Sequence, residues 1–234
     1  MPDGMAGRTA HPYEDLDVID ARAPRTNQAA IGVLALLAFA TGTEWLPALL
    51  AAQLAAGLVL GRRVCLACLL YFELIQPRLG EGPIEDSRPP RFANLVGVGF
   101  LGGATMAFVL GAPALGWILT VTVAVLALLA AVSGLCVGCE VYKLSARMRG
   151  VAARHVTRIE PGDVAFEGAG VVQFTHPLCS ECREWEQRLE ADARQHAAID
   201  VSRRPELARK YGVAVVPTVV AVAGDGTVLE RLAP

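Results

Sequence analysis

The 234-residue sequence has no excess of charge of either sign, no unpaired cysteine and no basic start followed by an apolar run. Each absence excludes something. A net charge of −2 gives no general electrostatic case for nucleic acid as a partner. All six cysteines fall into Cys-x-x-Cys pairs, 65/68, 136/139 and 179/182, which is not the scattered spacing of a secreted disulfide scaffold. The opening MPDGMAGRTAHPYEDLDVIDARAPR is polar and acidic, unlike a secretory signal peptide, and residues 1–26 are expected to form a cytoplasmic tail. No flavin or nicotinamide fingerprint is present, so no cofactor is expected, and electrons for any redox chemistry must come from another protein.

What is abundant is apolar surface. The chain is 53% hydrophobic with a mean hydropathy of +0.43, concentrated over residues 27–142. A membrane helix needs roughly 20 apolar residues. Four spans are expected, at about 27–43, 45–61, 92–112 and 114–135, the first two near the lower length limit. None shows a polar face, which argues against a buried hairpin in a soluble protein. Residues 143–234 carry 13 of the 21 basic and 12 of the 23 acidic side chains, so the composition changes near residue 143. The expected division is a four-helix membrane domain over 27–150 and a second domain over 151–234. Lys and Arg cluster in 1–26, in 62–91 and after the fourth span, and are absent from 42–46 and 111–114. The positive-inside bias therefore places both termini and the second domain in the cytoplasm, on an inner (plasma) membrane.

Two cysteine pairs belong to an internal repeat. VCLACLLYFEL (64–74) follows the second span and LCVGCEVYKLS (135–145) follows the fourth; both read Cys-x-x-Cys-x-x-Tyr at a constant offset of 71 residues. Two spans intervene, so Cys65, Cys68, Cys136 and Cys139 should face one side of the membrane. Three readings remain open for them. They are redox dithiols, with i and i+3 on one helix face. They are a four-cysteine zinc or iron–sulfur site. Or they are small buried hydrophobes. The Pro-Arg-Phe entry to the third span, in PIEDSRPPRFANLVG, and the Cys-Val-Gly-Cys-Glu-Val-Tyr exit from the fourth resemble a family of bacterial integral membrane proteins, the domain of unknown function 4395. That resemblance covers roughly 14–145 and implies a four-helix membrane domain with no assigned activity.

The remaining residues read as alternating strands and helices. GVVQF (170–174) and HVTRI (155–159) are strand-like; CREWEQRLEADARQ (182–195) is helical, with Trp185 and Leu189 four apart. HAAIDVS (196–202) reads as a strand, RRPELARKYG (203–212) as a short helix, and VAVVPTVVAVA (213–223) and TVLERL (227–232) as strands around a GDG turn. This order, with VVQFTHPLCSECREWEQ around the third Cys-x-x-Cys and Val216-Pro217-Thr218 later, resembles the thioredoxin family over about 155–232. The resemblance implies an α/β thioredoxin-like domain lacking its last helix. It also implies that Pro217 is a cis proline beside the sulfurs, lining a groove for an extended substrate.

On that reading Cys179 precedes a helix and is the exposed nucleophile, its thiolate favoured by the helix N-terminus. Cys182, one turn further, is the resolving thiol. Glu181 and His176 are expected to tune the pair: Glu181 by opposing a second negative charge, His176 by favouring the thiolate, unless it is only a turn residue. Gln173 stands where the family commonly buries an aspartate, and an amide cannot take a proton at neutral pH. A missing first helix and last helix would leave a sheet face to be covered by the membrane domain or by a second copy of the chain, a homodimer.

The expected function is a membrane-anchored thiol–disulfide oxidoreductase acting on protein thiols or disulfides, with Cys136/Cys139 and Cys65/Cys68 as relay pairs. Two alternatives stand beside it: handling of persulfide or another small sulfur compound, and a metal-binding membrane module using Cys65, Cys68, Cys136 and Cys139.

Overall fold

The structure, a computed structural model, describes residues 10–149, 158–164, 168–192 and 195–233, without the side chains of 146–149 and 233. Residues 1–9 of the tail expected over 1–26, and residues 150–157 at the boundary between the two expected domains, lie outside the described residues. The elements run β1 (Val18–Asp20), α1 (Arg22–Thr41), α2 (Leu46–Leu60), α3 (Leu66–Leu70), a π-helical turn Tyr71–Ile75, α4 (Gln76–Leu79), β2 (Ile84–Asp86), α5 (Arg88–Val109), α6 (Pro113–Ser133) and α7 (Val137–Arg149). After a short 3₁₀ turn at Pro161–Asp163 come β3 (Gly170–Thr175), α8 (Ser180–Ala191), β4 (His196–Asp200), α9 (Pro205–Lys210), β5 (Thr218–Val222) and β6 (Val228–Ala233). The chain divides into two compact units. One comprises His11–Gly82 and Pro89–Val141; the other includes Pro83–Arg88 and everything from Tyr142 onward.

The first unit is helical. Two of its helices, α5 and α6, are long and apolar enough to cross a membrane. This corrects the expectation of four spans. Helix α1 has 20 residues, but its first two turns hold Arg22, Arg25, Thr26, Asn27 and Gln28. Helix α2 is apolar but has 15 residues, about 22 Å at 1.5 Å per residue, against a hydrocarbon core of about 30 Å. Apolar side chains nevertheless face outward from all four: Phe39 on α1, Val59 (81% exposed) on α2, Val109 on α5 and Val132 (88% exposed) on α6. Inside, Ile31, Ala35, Leu50, Leu54, Leu101, Val123 and Ala124 form one core. Helices α1 and α6 meet through small residues. A Cβ on Gly32 would lie 2.7 Å from Leu128 Cγ and 3.2 Å from the Ala124 carbonyl oxygen, so glycine is what permits that approach. The glycine-rich run at 97–104 contributes less, since Gly99 and Gly102 face open space.

Arg62, at the end of α2, fastens the preceding segment to this unit. Its guanidinium donates to the carbonyls of Pro12 (2.9 Å), Asp15 (3.3 Å), Leu16 (3.0 Å) and Val18 (2.6 Å). Burial, with Arg91 nearby, pulls its pKa down to about 10.

The second unit carries a four-stranded mixed sheet in the order β4-β3-β5-β6. Strand β3 runs parallel to β4, with Gln173 opposite Ala198, and antiparallel to β5, with Gln173 opposite Val219. Residues 171–174 are buried on both faces. Val172 and Phe174 pack with Ile199, Leu207, Ala208 and Tyr211; Val171 and Val219 pack with Leu189 and Trp185 of α8. Both faces of β3 are therefore covered within this unit. The expected thioredoxin-like fold is corrected here: of HVTRI only Arg158 and Ile159 are described, with an isolated bridge between Arg158 and Thr227, and the four strands do not by themselves establish a thioredoxin topology.

Candidate functional site

Each Cys-x-x-Cys pair opens a helix, and each is capped in the same way. An N-cap residue has extended backbone, and its side chain accepts an otherwise unsatisfied N–H from the first turn. Cysteine sulfur fills that role three times. Cys65 Sγ accepts the Cys68 N–H (3.3 Å), Cys136 Sγ the Cys139 N–H (3.4 Å), and Cys179 Sγ the Cys182 N–H (3.2 Å). A sulfur so placed faces the positive end of its helix, which favours the thiolate. Two pairs are closed: Cys65–Cys68 and Cys179–Cys182 are disulfides, with Cα atoms 5.2 and 5.3 Å apart. Cys136 and Cys139 are thiols.

In the helical unit, Asn27 and Gln28 of α1 reach one pair each. Cys65 Sγ lies 3.7 Å from Asn27 Oδ1, and Gln28 Nε2 donates to Cys136 Sγ at 3.4 Å. Asn27 Nδ2 also donates to Asn94 Oδ1 at 3.4 Å. The Cys139 thiol, donating to Cys136, lowers the Cys136 pKa most; backbone N–H groups and Gln28 assist, burial opposes, and the result is about 6. Gly138 lets the pair pack against α5, because a Cβ there would stand 2.8 Å from Ala93 Cβ. Cys65 and Cys68 are buried with Tyr71, Phe72 and Ala23. No three His, Cys, Asp or Glu side chains gather at metal-binding distance among the described residues, so the four membrane-half cysteines do not form one ligand set there.

In the second unit, β3 delivers the Thr175–Leu178 turn and α8 begins at Ser180. Cys179 and Cys182 are 1% and 0% exposed, so the expected exposed nucleophile is buried. Pro217 follows a cis Val216–Pro217 bond. His176 is buried; its Nδ1 accepts the Leu178 N–H (3.2 Å) and its carbonyl the Cys179 N–H (3.0 Å), so it shapes the turn into the helix. Partial desolvation raises the Glu181 pKa, with Glu85 and Glu184 adding to it and Lys143 opposing. Gln173 is fully buried; its Nε2 donates to the Cys182 carbonyl at 2.7 Å, and its Oε1 has no hydrogen-bond partner among the described residues.

The sequence reading missed a segment that bears on this pair. Residues 83–88 belong to the same unit as Cys179. The Ile84 N–H donates to Ser180 Oγ (2.9 Å), and Asp86 Oδ2 accepts the Val216 N–H (3.2 Å). Tyr142 Oη donates to the Ala214 carbonyl (3.2 Å). The segment thus holds the residue after Cys179 and the residue before Pro217.

A signal for it exists in the sequence. IEDSRPP (84–90) echoes VIDARAP (18–24), and both aspartates accept the N–H of an arginine two residues later, at 2.9 Å for Asp20 and 2.8 Å for Asp86. The internal repeat therefore runs from Asp-x-Arg to Cys-x-x-Cys-x-x-Tyr. Its two copies use these groups differently. In the first, Tyr71 Oη donates to Asp20 Oδ2 at 2.8 Å; in the second, Tyr142 and Asp86 both grip the 214–216 backbone.

Residues 19–147 match the model of the family described as Domain of unknown function (DUF4395), more than half of the chain. Neither a curated protein nor a solved structure matches the chain. The thioredoxin resemblance over 155–232 accordingly has no support from a family, a relative or a fold.

Proposed function

From the premise that the chain belongs to the DUF4395 family, we propose that it is a membrane-associated thiol–disulfide oxidoreductase. One observation carries this reading: three Cys-x-x-Cys pairs share one cap geometry, two closed as disulfides and one open as a dithiol. Disulfide exchange needs a thiolate to attack a disulfide sulfur, and a capped, acidified cysteine supplies one. Cys136, with a pKa near 6, is largely thiolate at pH 7. Within the 179/182 pair, Cys179 is the attacking sulfur because it sits at the helix start, and Cys182 resolves the mixed disulfide. Relay between pairs moves one disulfide from site to site with no net loss of electrons.

Helices α5 and α6 anchor the protein. Arg88 and Arg91 lie in the first turn of α5, Lys143 follows α6, and no Lys or Arg lies at 110–112 between them. The positive-inside rule puts both flanks in the cytoplasm.

The test is redox-state mapping of all six cysteines in native membranes, in wild type and Cys179→Ser, with Cys182→Ser used to trap mixed disulfides. A trapped Cys179 disulfide, and a changed state at Cys136/Cys139 when Cys179 is lost, are expected. No trapped disulfide, with persulfide on Cys179 instead, would point to sulfur carriage.

A further inference from the structure

A cavity of about 290 Å³ lies within the helical unit, among α1, α2, α5, α6 and the start of α7. Its walls are almost wholly apolar, including Ile31, Leu54, Phe92 and Val123, and its polar groups are few: Asn27, Gln28, Asn94 and the Cys136 thiol. Small-molecule sites typically measure about 300–1,000 Å³, with a few placed polar groups in an apolar surround. This one has room for a single substituted ring. Three of its lining residues, Val96, Phe100 and Leu126, are each 38% exposed on the outer apolar surface of α5 and α6. A ligand dissolved in lipid can therefore reach it sideways.

We propose that this cavity binds the ring of a lipid-soluble quinone, which accepts electrons from the Cys136/Cys139 dithiol. The proposal rests on the oxidoreductase reading above and names its acceptor. Three observations converge on it. Among the described residues, the sulfur lining the cavity belongs to the pair that is a dithiol. The Asn94 amide, whose Oδ1 is taken by Asn27, presents N–H donors suited to a carbonyl oxygen. The walls are almost wholly apolar, which suits an uncharged ring.

The step balances. One S–S bond forms between the Cys136 thiolate and the Cys139 thiol, releasing two electrons and the Cys139 proton; the quinone takes these and a second proton from water and becomes a hydroquinone. The Cys136 thiolate supplies the first electron-rich sulfur, and Gln28, donating to it, holds it at the cavity wall. The dithiol is restored by exchange with a reduced dithiol of a partner protein, so net flow runs from that protein's thiols to quinone.

The test uses the purified full-length chain in lipid nanodiscs, fully reduced, mixed with ubiquinone-1, and follows quinone absorbance. Saturable reduction is expected, lost in Cys136→Ser. Ala127→Phe, which fills the cavity, should lower kcat/KM at least tenfold through KM, while N-ethylmaleimide labelling of Cys136 and the melting temperature stay unchanged. If Ala127→Phe does not fold, Val123→Phe serves the same purpose. Reduction that does not saturate, or is indifferent to cavity filling, overturns the proposal, as does co-purification of a lipid acyl chain that ubiquinone-1 cannot displace. If the cysteine pairs exchange disulfides but no quinone is reduced, the oxidoreductase reading survives and this acceptor falls.

Discussion

At the residue scale the pivotal group is Cys136. An ordinary thiol is mostly protonated at pH 7, with a pKa near 8.5. Here the pKa is about 6. The thiolate fraction grows as pH rises through that value, so labelling of Cys136 by iodoacetamide should be slow at pH 5 and near its plateau by pH 7. Gln28→Leu removes one stabilising donor and should move the midpoint upward; an unchanged midpoint would remove Gln28 from the site. Asp20 works on a different principle. It is buried, at 3% exposure, and accepts from Tyr71 Oη, the Gly82 N–H and the Arg22 N–H. Hydrogen bonds to a charged group contribute about 1.5–3 kcal/mol each, and their loss is partly compensated by water. Asp20→Ala should cost about 3 kcal/mol, read as a lowered denaturation midpoint in detergent.

At the element scale, the 83–88 segment bonds the residues that flank Cys179 and Pro217. It bonds Ser180 Oγ through Ile84 and the Val216 N–H through Asp86, while Cys179 is 1% exposed. A segment that covers the sulfur as well as bonding its neighbours must release before an external partner can reach it. Asp86→Ala should therefore speed amide exchange at Val216 and raise the alkylation rate of reduced Cys179 several-fold. Faster exchange at Val216 without faster alkylation would show that the segment holds the loop but does not cover the cysteine. Tyr142→Phe removes the Ala214 bond and should act in the same direction with a smaller effect. Helix α7 makes a similar point. Gly138→Ala brings a methyl within 2.8 Å of Ala93, so the first turn of α7 must move and carry Cys136 with it. Slower labelling of Cys136 and weaker binding of ubiquinone-1 should appear together.

At the scale of the whole molecule, one chain carries both helices with an apolar exterior, α5 and α6, and a four-stranded mixed sheet. The protein should stay in the pellet when membranes are washed at high pH. Replacing Arg88 and Arg91 with Ser weakens the positive-inside bias, and labelling from outside intact cells should then detect a fraction of inverted molecules. Recovery of the wild-type chain in the wash supernatant would remove the membrane reading altogether.

Much of this was readable in the sequence because it depends on local pattern. The helix and strand order from β3 to β6 follows from hydrophobic period and from Gly and Pro punctuation. The three Cys-x-x-Cys pairs and the 71-residue offset are visible as text, as is the apolar character of α5 and α6. Four spans were too many because hydropathy alone does not weigh the polar first turns of α1 or the 15-residue length of α2. What needed the tertiary structure was anything that joins residues distant in the chain. The placing of Asn27 and Gln28 beside two cysteine pairs depends on how α1 packs, across separations of 38 and 108 residues. So does the hold of Asp86 on Val216, 130 residues away. A composition can fix which segments must leave water; only packing decides which side chains then face one another, as it does around Cys136 and Cys179.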